Sequence, residues 1–155
     1  TILTTNAHHT LYTINTINNR SIYLAGPMYG NRELFFEVAK DLRSKGKYAV
    51  IPFDIQPIHR NKDAMCPEGP LAGEGSNEHT APCYMRGDIE WIAFKAAALV
   101  FLPGWENSSG ARVEFTVAQA CGIPIYFALR NDGECIYTNS MGESLSDYRE
   151  PLREK

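Results

Sequence analysis

One stretch of the sequence has residue types and a spacing suited to chemistry on a phosphorylated sugar. Residues 104–114 combine glycines, the adjacent Ser108 and Ser109, and Glu114. An apolar run precedes this stretch and another follows it, so we place the serines where a strand has ended and a helix begins. Backbone N–H groups at a helix start bind anions such as phosphate, and the dipole there favours an ionised Glu114. A simpler interpretation is a helix cap followed by a surface glutamate.

Asp88 and Tyr23 are further candidates for the same chemistry. Cleavage of an N-glycosidic bond can divide the work between two carboxyl groups, one acting as nucleophile and the other handling the proton. Glu114 is the candidate nucleophile, whereas a neighbouring anion and apolar cover would raise the pKa of Asp88 and make it a proton donor. Tyr23 could donate a hydrogen bond to Glu114. The alternatives are a packed strand tyrosine and an acid favoured at a helix start.

The overall composition excludes several classes of function. A length of 155 residues fits one domain, and a net charge of −3 gives no electrostatic argument for a nucleic-acid polymer or an anionic membrane. The cysteines include no Cys-x-x-Cys pair, which favours reduced thiols. No apolar run is long enough to span a bilayer, and residues 1–20 lack the apolar segment of a signal peptide. We therefore expect a cytoplasmic protein.

Strand and helix patterns alternate along the sequence. Apolar runs predict strands at 21–25, 48–51, 98–102 and 123–128, with a short further strand at 135–137. Helical patterns predict three helices. The first follows Asn31, which would cap it, the second covers 84–97, and the third begins at Ser108. This alternation predicts an α/β fold, a doubly wound, flavodoxin-like parallel sheet of four or five strands in the order 2-1-3-4, with helices on both faces.

The predicted topology brings two glycine-rich loops together. In doubly wound sheets, ligands bind beyond the carboxyl ends of the strands, at the switch between the first and third strands. The loops at 26–30 and 104–110 flank this switch. We therefore expect them to form one crevice.

Other segments have no such pattern. Residues 1–20 are interpreted as a loose N-terminal arm, and residues 21–155 as a single domain that contains a long loop at 56–83, either a cover for substrate or disordered. His59, Cys66, His79 and Cys83 match no common zinc spacing, and His8 and His9 are expected to be an exposed pair. We expect no metal and no organic cofactor.

Four pieces of the sequence resemble the nucleoside 2-deoxyribosyltransferase superfamily. They are residues 21–28, residues 86–88, residues 102–105, and the spaced set Ser108, Gly110 and Glu114. The resemblance extends from about residue 21 to residue 129 and is closest to small uncharacterised members that are common in phages and bacteria. It does not include the arm, the long loop or the C-terminal tail.

The resemblance implies roles for individual residues. Glu114 stands at the position of the family's nucleophile, Tyr23 at that of the tyrosine that orients it, and Asp88 at that of the aspartate that assists at the base. Transferases carry aspartate six residues before the nucleophile, whereas the nucleoside 5′-monophosphate N-glycosidases, including the hydroxymethyl-CMP hydrolases, carry serine there to bind phosphate. Ser108 therefore implies a nucleotide substrate.

The expected phosphate and substrate contacts lie in the two loops: Gly26, Pro27, Met28, Tyr29, Arg32, Ser108, Ser109, Gly110 and Arg112. The glycosidases often place arginine at the position of Tyr29. In this sequence Arg32 or Arg112 could supply that charge instead.

The sequence thus predicts a nucleoside 5′-monophosphate N-glycosidase that releases a free base and (deoxy)ribose 5-phosphate. Base exchange between deoxynucleosides is the second hypothesis, and a non-catalytic nucleotide-binding module is the third. The base itself is not specified. The resemblance also implies a homodimer or higher homo-oligomer, because family members complete the pocket with a neighbouring subunit, and the apolar surface of Trp91, Phe94 and Phe115 agrees with this expectation.

Overall fold

The computed structural model describes residues 21–58 and 81–147. The predicted N-terminal arm, most of the predicted long loop and the end of the C-terminal tail lie outside the described residues. His8, His9, His59, Cys66 and His79 lie outside them as well.

The described residues form one five-stranded sheet. Its strands are β1 (Ser21–Ala25), β2 (Tyr48–Val50), β3 (Ala96–Phe101), β4 (Ile125–Asn131) and β5 (Glu134–Thr138), in the order β2-β1-β3-β4-β5. The first four pair in parallel, and β5 is antiparallel to β4. The predicted α/β fold and strand order are confirmed.

Helices cover both faces of this sheet because its central strands are apolar on both sides. Helix α1 (Arg32–Ser44) buries Phe35, Val38, Ala39 and Leu42 against one face. Helices α2 (Ala81–Lys95) and α3 (Ser109–Ala120) contribute Ile92, Ala111 and Ala118 to the cluster on the other face. Tyr23 belongs to this second cluster, so its side chain lies on the side of α2 and α3.

The boundaries of α2 differ from the prediction. The helix begins at Ala81, before the predicted start, and ends at Lys95, where β3 takes over. Pro82 is tolerated because the first turn of a helix needs no intrahelical partner for its N–H groups. As a consequence, Asp88 lies in the middle of α2 rather than near its start. The alternative interpretation of Asp88 as a helix-start acid is therefore wrong.

A tight hairpin explains why β5 is antiparallel. Asp132 and Gly133 both have positive φ, at 53° and 80°, and connect β4 directly to β5. Asp-Gly is favoured in two-residue hairpin turns, in which both central residues adopt positive φ. The hairpin extends β4 to Asn131, beyond the predicted end at Ala128.

Asn31 occupies the residue before α1, as predicted, but its side chain does not cap the helix. Its Nδ2 instead donates to the carbonyl oxygen of Pro27 at 3.0 Å. Asn31 therefore stabilises the loop after β1 rather than the first turn of α1.

Candidate active site

The loops after β1 and β3 are in contact, as the topology predicts. The N–H of Leu102 donates to the carbonyl oxygen of Ala25 at 2.8 Å, which continues the β1–β3 pairing beyond the strands. A methyl group on Gly26 would lie 3.0 Å from Cβ of Leu102, and one on Gly104 would lie 3.6 Å from Cγ of Pro27. Gly104 has a φ of 86°, which favours glycine at this turn.

Tyr23 and Glu114 are joined by a buried hydrogen bond. The Tyr23 hydroxyl donates to Oε2 of Glu114 at 2.7 Å. Tyr23 is 0% exposed and Glu114 is 5% exposed. Since burial, together with the charges of Glu114 and Asp88, raises the pKa of Tyr23 well above its usual value, Tyr23 is a neutral donor. The bond fixes one oxygen of Glu114 and leaves Oε1 for other contacts.

Asp88 belongs to the same cluster of polar groups, although it comes from a different helix. It is 7% exposed, and the Tyr23 hydroxyl interacts with its carboxylate as well as with that of Glu114. Ser21, Asp88 and Glu114 are the buried polar side chains in the described part of the chain. Ser21 has its hydrogen-bond partners in α2, since its Oγ donates to the carbonyl oxygen of Lys95 and accepts from Nε1 of Trp91. The two acids and Tyr23 therefore form a separate polar cluster.

Both carboxyl groups hold protons more tightly than ordinary acids. Burial raises the pKa of Asp88 to about 7, even though the hydrogen bond from Tyr23 acts in the opposite direction. Burial also raises the pKa of Glu114 to about 8, with a further contribution from the charge of Asp88. The raised pKa of Asp88 agrees with the sequence-based expectation. The expectation that the helix start would favour an ionised Glu114 is not met, because Glu114 lies beyond the first turn of α3, where the dipole has faded.

Ser108 is the N-cap of α3. Its Oγ accepts a hydrogen bond from the N–H of Ala111 at 3.2 Å, so the simpler interpretation of this residue as a cap is correct. A capping hydroxyl keeps its own hydrogen, which can still be donated to a ligand. The next N–H groups, those of Ser109 and Gly110, belong to the first turn, which lacks intrahelical acceptors. Capping and anion binding are therefore compatible at this site.

The two arginines considered for phosphate binding have partners within the protein. Nη1 of Arg112 donates to the carbonyl oxygen of Glu106 at 2.8 Å. The Arg32 guanidinium lies 4.8 Å from the ring centroid of Phe53 and 5.2 Å from that of Phe36. Tyr29 is 101% exposed, and Met28 is also exposed. The structure thus brings Ser108, Ser109 and Gly110 together at one helix start, with Arg112 in the same turn bound to Glu106, whereas Arg32 packs on aromatic rings.

The sequence analysis gave no role to Met85 and quoted Gly87 only as part of the resemblance at residues 86–88. A methyl group on Gly110 would lie 3.4 Å from Cε of Met85, so Met85 of α2 packs against the start of α3. Gly87 contacts the backbone that follows β2. A glycine in the middle of an otherwise helical pattern is a signal of such close packing and could have identified Gly87.

No group of three or more His, Cys, Asp or Glu side chains within residues 21–58 and 81–147 is arranged to hold a metal ion. Over the same described residues, none of the helices has the length and apolar character needed to cross a membrane.

The fold and this polar cluster define an α/β protein in which the loops after the first and third strands are in contact. The chain belongs to the family described as a domain of unknown function, DUF4406, whose sequence profile matches residues 20–127. The matched range includes both crevice loops, Tyr23, Asp88 and Glu114. No curated protein and no solved structure matches the chain.

Proposed function

We propose that this protein is a nucleoside 5′-monophosphate N-glycosidase that releases a free base and (deoxy)ribose 5-phosphate. The observation that carries the proposal is the 2.7 Å hydrogen bond from Tyr23 to Glu114, in a buried cluster that also contains Asp88. Two buried carboxyl groups beside a neutral donor fit a reaction in which one acid attacks carbon and the other transfers a proton. The resemblance of the loop residues to the glycosidases supports the same assignment.

In the first step, Oε1 of Glu114 attacks the anomeric carbon of the sugar, because Oε2 is held by Tyr23. The bond between the anomeric carbon and the base nitrogen breaks, and its electron pair leaves with the base. Asp88 gives its proton to the base. The products of this step are a free base and a glycosyl ester on Glu114.

In the second step, Asp88 acts as the base. It takes a proton from water, and the water oxygen attacks the anomeric carbon. The ester bond breaks, its electron pair returns to the Glu114 carboxylate, and the sugar phosphate leaves. Asp88 is protonated again, so the site returns to its starting state without a metal or an organic cofactor.

This cycle requires one proton shared by two carboxyl groups. With pKa values of about 7 for Asp88 and about 8 for Glu114, the pair carries that proton near neutral pH. Because Glu114 has the higher pKa, it holds that proton in the free site, and the hydrogen bond from Tyr23 favours the ionised form of Glu114 that the first step requires. Attack by Glu114 and protonation of the base by Asp88 therefore require this proton to pass from Glu114 to Asp88 when the substrate binds.

The 5′-phosphate is assigned to the start of α3. Ser108 can donate its hydroxyl hydrogen while its oxygen caps the helix, and the first-turn N–H groups of Ser109 and Gly110 add further donors. The cytoplasmic location and the homodimer expected from the sequence belong to the same proposal.

Base exchange between deoxynucleosides is the second candidate, and one observation favours it. Arg32 stacks on aromatic rings and Arg112 donates to the carbonyl oxygen of Glu106, so both arginines have partners within the protein. A nucleoside, which carries no phosphate, would need no arginine charge. Both reactions pass through the same glycosyl ester on Glu114 and differ in whether water or a second base resolves it.

The test is to incubate the protein with a panel of nucleosides and 5′-nucleotides and to measure release of the base. Release from nucleotides in water supports the glycosidase, and release that depends on an added acceptor base supports the transferase. Mass spectrometry of quenched protein should find the sugar phosphate on the peptide that contains Glu114. Glu114→Gln should abolish base release, whereas Glu37→Gln, which affects an exposed ion pair with Arg130, should not. Binding of nucleotides without any base release would instead indicate a non-catalytic module.

A further inference from the structure

Gly87 lies in the middle of α2, where another part of the chain fills the space of its missing side chain. A methyl group on Gly87 would overlap the carbonyl oxygen of Gln56 and would lie 3.2 Å from the carbonyl carbon of Gln56 and 3.4 Å from Cγ2 of Ile55. Glycine destabilises the interior of a helix relative to alanine. Its presence here is explained by the direct contact between α2 and the backbone that follows β2.

Two hydrogen bonds hold this backbone on the same face of α2. The N–H of Ile58 donates to the carbonyl oxygen of Cys83 at 2.9 Å, and Nε of Arg86 donates to the carbonyl oxygen of Ile58 at 2.6 Å. Cys83 and Gly87 are four residues apart, so they lie one above the other on the helix. Nη2 of Arg86 also lies 3.4 Å from Sγ of the buried Cys83, which fixes the guanidinium close to the helix.

The contact is adjacent to the catalytic candidates. Asp88 directly follows Gly87 and is 7% exposed. Ile55 is buried in the same apolar cluster as Tyr23 and Ile92. Residues 55–58 therefore lie along the part of α2 that carries Asp88.

We propose that Arg86 and Gly87 are positioning residues that hold residues 55–58 against α2 and thereby keep Asp88 enclosed as the proton donor of the crevice. Gly87 permits the close approach of the Gln56 backbone to α2, and Arg86 fixes the far end of this segment at Ile58. The proposal rests on the function proposed above, because it assigns Asp88 a role in proton transfer. Its structural part, the enclosure of Asp88, does not depend on turnover.

The enclosure can be measured from the titration of Asp88. The groups that act on Asp88 are Tyr23 of β1 and Glu114 of α3. Asp54, just before the anchored backbone, is exposed, and Arg86 of α2 is engaged by Ile58. Burial is the main cause of the raised pKa of Asp88. Loosening the contact between residues 55–58 and α2 should therefore lower this pKa towards its ordinary value.

The experiment compares wild type, Arg86→Met and Gly87→Ala by carboxyl NMR titration of labelled aspartate and by base release from the nucleotide that the wild type cleaves. We expect both variants to lower the pKa of Asp88 by about one unit and to reduce kcat about tenfold, with little change in KM. Arg43→Met is the matched control, because it removes an arginine bond to a backbone carbonyl, that of Ala49, away from the crevice. It should leave both quantities unchanged.

Arg86→Met keeps the test decisive if Gly87→Ala does not fold. An Asp88 titration in folded Arg86→Met that matches the wild type would overturn the proposal. If the wild-type protein releases no base at all, the proposed function fails, but the NMR titration still decides whether Arg86 and Gly87 enclose Asp88.

Discussion

The Tyr23 hydroxyl donates a hydrogen bond to Oε2 of Glu114, and this bond joins the first strand of the sheet to the third helix across 91 positions of the chain. Because both residues are buried, water cannot replace either partner without opening the core. Tyr23 thus restricts Glu114 to one orientation and stabilises its ionised form.

Tyr23→Phe should reduce kcat by about ten- to a hundredfold, since a hydrogen bond to a charged group contributes about 1.5–3 kcal/mol. The pKa of Glu114 should rise further, because the hydrogen bond that lowers it is lost. Steady-state kinetics as a function of pH measures both effects. Tyr137→Phe is the matched control, since it removes a 2.6 Å hydrogen bond to Asp41 away from the crevice. Equal losses of activity in the two variants would contradict the role of Tyr23.

Asp88→Asn should slow release of ordinary bases about a hundred- to ten-thousandfold, which is the usual contribution of general acid–base catalysis. A substrate whose base leaves readily without protonation should recover most of that loss in the first step. Single-turnover measurements with two leaving groups test this expectation. An equal loss for both substrates would show that Asp88 does not protonate the base.

The two raised carboxyl pKa values make the wild-type protein less stable as the pH rises. Folding raises the pKa of Asp88 from 3.8 to about 7 and that of Glu114 from 4.5 to about 8. At pH values between the ordinary and the raised pKa, the folded state therefore binds more protons than the unfolded state. The stabilisation is complete at low pH and is lost as the pH rises through 8, by at most about 1.4 kcal/mol per pH unit for each group.

Glu114→Gln and Asp88→Asn should therefore flatten the fall in stability between about pH 5 and pH 8, as measured by urea unfolding. Asp41→Asn is the control, because the pKa of Asp41 is shifted in the opposite direction. Although its burial acts the other way, hydrogen bonds from Tyr137 and Lys45 lower the pKa of Asp41, so it stabilises the fold above its ordinary pKa. A fall in stability that is as steep in Glu114→Gln as in wild type would show that Glu114 is ionised throughout.

Ser108 separates the two enzymatic hypotheses. Ser108→Ala should raise KM for a nucleotide about ten- to a hundredfold and leave any nucleoside reaction unchanged, since it removes a donor to phosphate. It also removes the cap on Ala111. Ser108→Asp keeps a good cap but repels phosphate, so it should shift the preference towards nucleosides. Kinetics of both variants with a matched nucleotide and nucleoside test this assignment, and indifference of both substrates to Ser108→Ala would favour the transferase.

Phe94 provides the test for association. Of the three aromatic residues that suggested an oligomer, Trp91 donates to Ser21 Oγ and Phe115 stacks on Trp105 at 4.8 Å, whereas Phe94 is 75% exposed. If α2 forms a dimer interface, Phe94→Glu should weaken the dimer in sedimentation velocity experiments. Val113→Glu changes an exposed apolar residue of α3 and is the comparison. A wild-type protein that is monomeric and fully active at micromolar concentration would contradict the expected dimer.

The hydrophobic pattern of the sequence determined the main elements and their order. Buried parallel strands are apolar throughout, and helices between them repeat their apolar residues every three to four positions, so both can be recognised locally. The rule that places ligands at the switch between the first and third strands then brought the two glycine-rich loops together. Turn chemistry was equally local, since Asp132-Gly133 specifies the hairpin that reverses β5.

Tertiary structure decided the protonation of the two buried carboxyl groups and the contact between residues 55–58 and α2. The sequence places Glu114 near a helix start, but its pKa depends on how deeply the folded chain buries it, and burial outweighs a dipole that has faded by that position. Likewise, Gly87 is an unfavourable helix residue until the backbone of Gln56 lies against it. Both effects arise from contacts between residues far apart in the chain, which local patterns do not encode.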